Sequence, residues 1–123
     1  MFYTILKGNK QMANEKYLDL AKNKKWSKLA KLGTGKDLEA VADVAEACGT
    51  ARCEEAYNIL VDILSRPEPA AKKAAVKGLG NLRYDPDSQI TRLRQLNTTG
   101  IDGLAELAQE SVTKLREYTR EHK

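Results

Sequence analysis

AYNILVDILSRPEPAAKKAAVKGLGNL, residues Ala56 to Leu82, decides how the chain folds. In its first half Ala56, Ile59, Leu60, Ile63 and Leu64 recur at three- and four-residue spacing, the mark of a helix with one apolar face. Pro67 closes that helix, because proline has no amide to donate and clashes with the preceding turn. Pro69 then suits the first position of a new helix, where the missing amide costs nothing. Ala71, Ala75, Leu79 and Leu82 form the stripe of this second helix. Two helices separated by a proline turn make a pair, and neither stripe can be buried by the pair alone.

The same pattern extends in both directions. Helices are expected over residues 12–22, 24–32 and 36–48, then 51–66, 69–82, 86–97 and 101–120, separated by Asn23, by Gly33 to Gly35, by Gly49, by the Pro67 turn, by RYDPD (residues 83–87) and by NTTG (residues 97–100). A shift of 31 lays Val44, Ala45, Cys48 and Gly49 on Ala75, Val76, Leu79 and Gly80. A shift of 33 lays Tyr57, Leu60 and Ile63 on Ile90, Leu93 and Leu96, and Ala75, Leu79 and Leu82 on Ala108, Val112 and Leu115. The repeat is a helix pair of just over thirty residues, and stacked neighbours supply the core.

Composition agrees with this reading. The 123 residues are 41% hydrophobic and 31% charged, with few aromatics and three prolines, which favours amphipathic helices over sheet and suits one domain, residues 1–123. The apolar run Phe2 to Leu6 is too short for a signal-peptide core or a membrane span, and two cysteines are too few for a disulfide-stapled secreted domain. A cytoplasmic location without membrane contact is therefore expected. The net charge of +4 hides alternating blocks: nine lysines against two acids up to residue 36, two arginines against eight acids over 37–69, six bases against two acids over 70–100, and four against five thereafter. Such alternation suits protein partners or self-association at least as well as nucleic acid.

The stretch Ala56 to Leu82 resembles the HEAT-like repeat of the phycobiliprotein-lyase type: an apolar outer helix, a proline turn, and an Ala-rich inner helix ending in Leu-Gly-x-Leu. Cys48 to Leu60 matches its connection between repeats in length. The resemblance is clearest over residues 36–120, with 1–35 as capping helices. It implies an all-α fold, a short right-handed α-α superhelix (α-solenoid) of about three helix pairs, with the third, fifth and seventh helices on the concave face and the fourth and sixth on the convex side. The family's inner helices carry an arginine that bonds to an aspartate of the next repeat; the matching positions here are Val41, Lys72 and Ala105, so no such ladder is expected.

Candidate chemistry is sparse. Gly78 and Gly80 lack the preceding strand and the third glycine of a dinucleotide loop, position 83 being arginine, so they read as packing positions in a helix. LGTGKD (Leu32 to Asp37) lacks the leading glycine and the Ser or Thr of a phosphate loop. Cys48 and Cys53 supply at most two metal ligands, and the single His122 stands in a polar tail, so neither a metal nor a cofactor is expected. No serine or cysteine sits in a nucleophile's context, and Asp62, Asp85 and Asp87 read as surface or capping residues. An enzyme is not expected.

Helical spacing and repeat register turn Glu39 and Glu46, Lys73 and Lys77, and Glu106 and Glu110 outward on the inner helices. The expected function is non-catalytic binding of a protein or peptide on that surface. Its alternating sign is unlike a phosphate-tracking groove. The first alternative is nucleic-acid binding through Lys24, Lys25, Lys28 and Lys31 beside Trp26, as in HEAT-like DNA-repair proteins; the second is a bilin-lyase-like enzyme subunit. The segment Phe2 to Leu6 could cap the first repeat or join two copies of the chain into a homodimer.

Overall fold

A computed structural model describes residues 15–121. Among these the chain is entirely helix and connection, without a strand: α1 (residues 15–22), α2 (Trp26–Gly33), α3 (Leu38–Gly49), α4 (Glu54–Leu64), α5 (Pro69–Asn81), α6 (Pro86–Arg94) and α7 (Leu104–Glu121). The start expected for the first helix, the apolar segment Phe2 to Leu6 and His122 lie outside the described residues.

Local chemistry sets the helix ends. Asp37 caps α3, its Oδ1 accepting from the amides of Glu39 at 3.1 Å and Ala40 at 3.3 Å. LGTGKD is thus a helix stop followed by a cap. Thr50 closes α3 by donating its hydroxyl to the Ala47 carbonyl at 2.7 Å, so Gly49 is the last helical residue rather than the break. Helix α4 is shorter at both ends than its pattern suggests, starting after Cys53 and stopping at Leu64, with Ser65 as its C-cap. Pro69 does begin α5 and Pro86 begins α6. Helix α6 ends at Arg94, and Leu96, expected on its stripe, packs half-buried from the connection beyond it.

Packing is two-layered. Helix α5 lies between α3 and α7; α4 packs on α3 and α5, α2 on α3 and α4, and α6 mainly on α7. The core runs through Val41, Val44, Leu60, Val76, Leu79, Leu104 and Leu115, all fully buried. Small residues mark the helix crossings. A Cβ on Gly78 would come within 2.6 Å of Leu60 Cδ2 and 2.8 Å of the Ala45 carbonyl oxygen; one on Gly80 would lie 2.5 Å from Ser111 Oγ and 3.0 Å from Ser111 Cα. Gly49 also faces Gly78, less tightly, a Cβ there reaching 3.1 Å from the Gly78 carbonyl oxygen. The two glycines of α5 thus let its neighbours on both sides approach backbone to backbone.

Polar bonds link the pairs from positions the repeat pattern does not reveal. Arg66 Nη1 donates to the Gly33 carbonyl at 2.7 Å, Arg92 to the Tyr57 hydroxyl at 3.0 Å, and the buried Ser111 hydroxyl to the Val76 carbonyl at 2.9 Å, spanning 33, 35 and 35 residues. Each span is about one repeat. Of the three ladder positions, Val41 is fully buried, Ala105 is exposed, and Lys72 closes α4 by donating to the Leu64 carbonyl at 3.0 Å.

Candidate functional site

Helix α5 is sided. Ala71, Ala75, Val76 and Leu79 face the core, and residues 70, 73, 74, 77 and 81 fall on the opposite side by helical spacing. With Ala42 and Glu46 of α3 they line a cleft of about 560 Å3. Its floor is small, made of Ala42, Ala70, Ala74 and Gly78, and its charges are Glu46, Lys73 and Lys77. Lys77 and Glu46 are exposed, while Lys73 is half-buried. Its ammonium nitrogen lies 3.8 Å from where a Cβ on Gly103 would sit, just before α7.

Three of the six residues expected on the binding surface therefore converge. The other three are exposed but do not line this cleft: Glu39 stands in the first turn of α3, Glu106 in the first turn of α7, and Glu110 one turn further on. Glu106 and Glu110 follow Lys73 and Lys77 by 33 residues, so α7 repeats the α5 positions with opposite charge.

The lysines around the second helix are laid out differently. Lys24, Lys25, Lys28 and Lys31 are all exposed, Lys24 with a left-handed φ of 58° in the α1–α2 turn and Lys25 as an N-cap whose side chain makes no cap bond. Trp26 is half-buried against the core. The lysines are solvated, and the nearby Trp26 ring is turned to the core.

Reactive groups are held quiet. Burial, with neighbouring Cys53 adding to it, pushes the Cys48 thiol up to about 12, so it stays protonated near neutrality. Cys53 is half-buried, and both cysteines are free. Among the described residues no three His, Cys, Asp or Glu side chains gather as metal ligands, and no helix is long and apolar enough to cross a membrane. Asp85 precedes α6 in a left-handed conformation, φ 48°, and accepts from the Ser88 hydroxyl at 2.7 Å; Asp62 is exposed. They act as turn and surface groups.

Sequence reasoning missed the polar residues that hold the molecule. Arg66 meets both carboxylate oxygens of Glu68 at 3.0 Å while its third contact reaches Gly33. The hydrogen bond from Arg66 holds the Glu68 carboxyl below its ordinary value. Gln89 is fully buried, donating its amide to the Tyr84 carbonyl. An Arg beside a proline turn and a Gln within a polar helix give no periodic signal. In comparisons with known protein families, with curated proteins and with solved structures, nothing matches this chain.

Proposed function

We propose that the chain is a short HEAT-like α-solenoid that acts as a non-catalytic interaction module, binding a protein or peptide on the face shared by α3, α5 and α7. The reading is carried by the convergence of Glu46, Lys73 and Lys77 on one small-floored cleft. Opposite charges on adjacent helices select a partner by complementarity and suppress partners of uniform charge. Glu39 on α3 and Glu106 and Glu110 on α7 are exposed on the helices either side of α5, so the charge changes sign from helix to helix, which favours a protein over a polyanion. Near-flush alanines and glycine suit a partner segment that lies close to the backbone.

The test is affinity capture from the native cell with the wild-type chain, with the double variant Lys73→Glu/Lys77→Glu, and with Lys114→Glu as a single charge-reversal control elsewhere. A partner retained by wild type and control and lost with the double variant is the expected outcome. An unchanged set of captured proteins defeats the proposal.

A further inference from the structure

The layer behind α5 is parted. Helices α2 and α4 pack together, but no residue of α4 comes within 8 Å of one in α6, Cα to Cα. A groove of about 730 Å3 fills the gap, lined from α4 by Tyr57 and Leu64, from α5 by Lys72, and from α6 and the residues after it by Arg92, Gln95 and Asn97, among others. Lys72 points away from the cleft that holds Lys73 and Lys77, so this groove is a separate place on the molecule.

Its charge is one-sided, with Lys72 and Arg92 against Asp87. The Tyr57 oxygen already accepts from Arg92, Nε at 3.3 Å and Nη2 at 3.0 Å, which leaves the phenol its own O–H to donate. Asn97 Oδ1 accepts from the Thr99 amide at 3.0 Å, leaving its NH2 group. Lys72 gives one of its three protons to the Leu64 carbonyl at 3.0 Å and keeps two. Arg92 keeps the Nη1 end of its fork, held in place by stacking over Tyr57 at 5.6 Å from the ring centroid. The hydroxyls of Ser65 and Thr91 spend their protons on carbonyls of their own chain segment and that of Ser88 on the Asp85 carboxylate, so all three keep only acceptor lone pairs. The groove thus holds two cations, Lys72 and Arg92, against one carboxylate, Asp87, and its remaining acceptors, the Gln95 side-chain carbonyl and the hydroxyl oxygens of Ser65, Ser88 and Thr91, are neutral.

We propose that the α4/α6 groove is a binding site for a small organic oxyanion, a polycarboxylate or a phosphate ester. Lys72 and Arg92 supply the charge, and the Tyr57 O–H and Asn97 NH2 supply neutral donors around it. Charge-assisted bonds to carboxylate or phosphate oxygens are the strongest such an array can make. Tyr57 has a double role, as a donor and as the support that fixes Arg92.

Titration calorimetry at constant ionic strength tests this, with citrate and glycerol phosphate as probes. The expected result is saturable one-site binding of at least one probe, weakened about tenfold or more by Arg92→Gln and by Tyr57→Phe, and unchanged by Lys77→Gln. Tyr57→Phe keeps the packed ring and so keeps the fold. Preference for citrate identifies a carboxylate ligand, and preference for glycerol phosphate a phosphate ester. The proposal is overturned if neither probe gives saturable binding at millimolar concentration, if both variants bind like wild type, or if Lys77→Gln weakens binding as much as Arg92→Gln, which would mean an adventitious ion only.

Discussion

Arg66 and Glu68 illustrate how much a single residue can do outside the repeat pattern. They flank Pro67, and their two parallel bonds present the guanidinium to the C-terminal carbonyl of α2, Gly33. The bond from Arg66 lowers the Glu68 pKa from an ordinary 4.5, so the folded state favours the ionised carboxylate. A depressed carboxyl contributes stability above its unfolded value, and that contribution is lost as pH falls from about 4.5 through the lowered folded value. Urea midpoints measured down that acid limb should therefore fall less steeply for Glu68→Gln than for wild type. At Cys48 the opposite shift, upward to about 12, leads to a chemical prediction: iodoacetamide near neutral pH should label Cys53 in the native protein and leave Cys48 unmodified until denaturant is added, as read by peptide mass spectrometry. The apolar setting of Cys48 was visible in the repeat register that lays it on Leu79, whereas the Arg66 contact was not. A loop arginine acquires a partner only when another helix end is brought to it.

At the scale of the element, α5 carries most of the information. Helix propensity alone would make Gly78→Ala and Gly80→Ala stabilising by about 1 kcal/mol each. Sterics reverse the sign. The new methyl at position 78 would meet a backbone oxygen at 2.8 Å, and at position 80 it would meet Ser111 Cα at 3.0 Å, atoms that cannot swing aside. Each substitution should therefore destabilise, by about 1–3 kcal/mol, measured as a lower urea midpoint with unchanged far-UV circular dichroism. The absence of a strand and of a third glycine already argued for these glycines as packing residues. Which neighbours they admit, Ala45 and Leu60 for one and Ser111 for the other, follows only from the crossing of α5 with α3, α4 and α7. The overestimates of α4 and α6 have a similar cause: apolar residues such as Leu96 continue a stripe past the end of the helix and still reach the core from the connection.

For the whole molecule, α5 is the hub, in contact with α3, α4, α6 and α7, and α2 is tied to it through α3 and α4. Leu79 is fully buried on its core side. Leu79→Ala should cost about 2–5 kcal/mol, and it should move the transition followed by Trp26 fluorescence and the one followed by helical circular dichroism together, because no helix can loosen without exposing its neighbour. Separated transitions would show instead that the helix pairs melt independently. The charge layout also belongs to this scale. Lys72, Lys73 and Lys77 are close in sequence, yet Lys72 closes α4 and lines the groove behind, while Lys73 and Lys77 line the cleft in front.

The amino-acid sequence by itself determined that the described chain is helical, about where each helix starts and stops, and which side of each helix is apolar, because periodicity, caps and prolines act over a few neighbouring residues. It also placed Glu46, Lys73 and Lys77 outward on α3 and α5. Tertiary structure alone decided that these three share a cleft that Glu39, Glu106 and Glu110 do not line, that Arg66, Tyr57 and Ser111 bond across pairs, and that α4 and α6 stand apart. These features depend on the placement of helices some thirty residues apart, and a polar side chain bears no periodic mark of the partner it will meet.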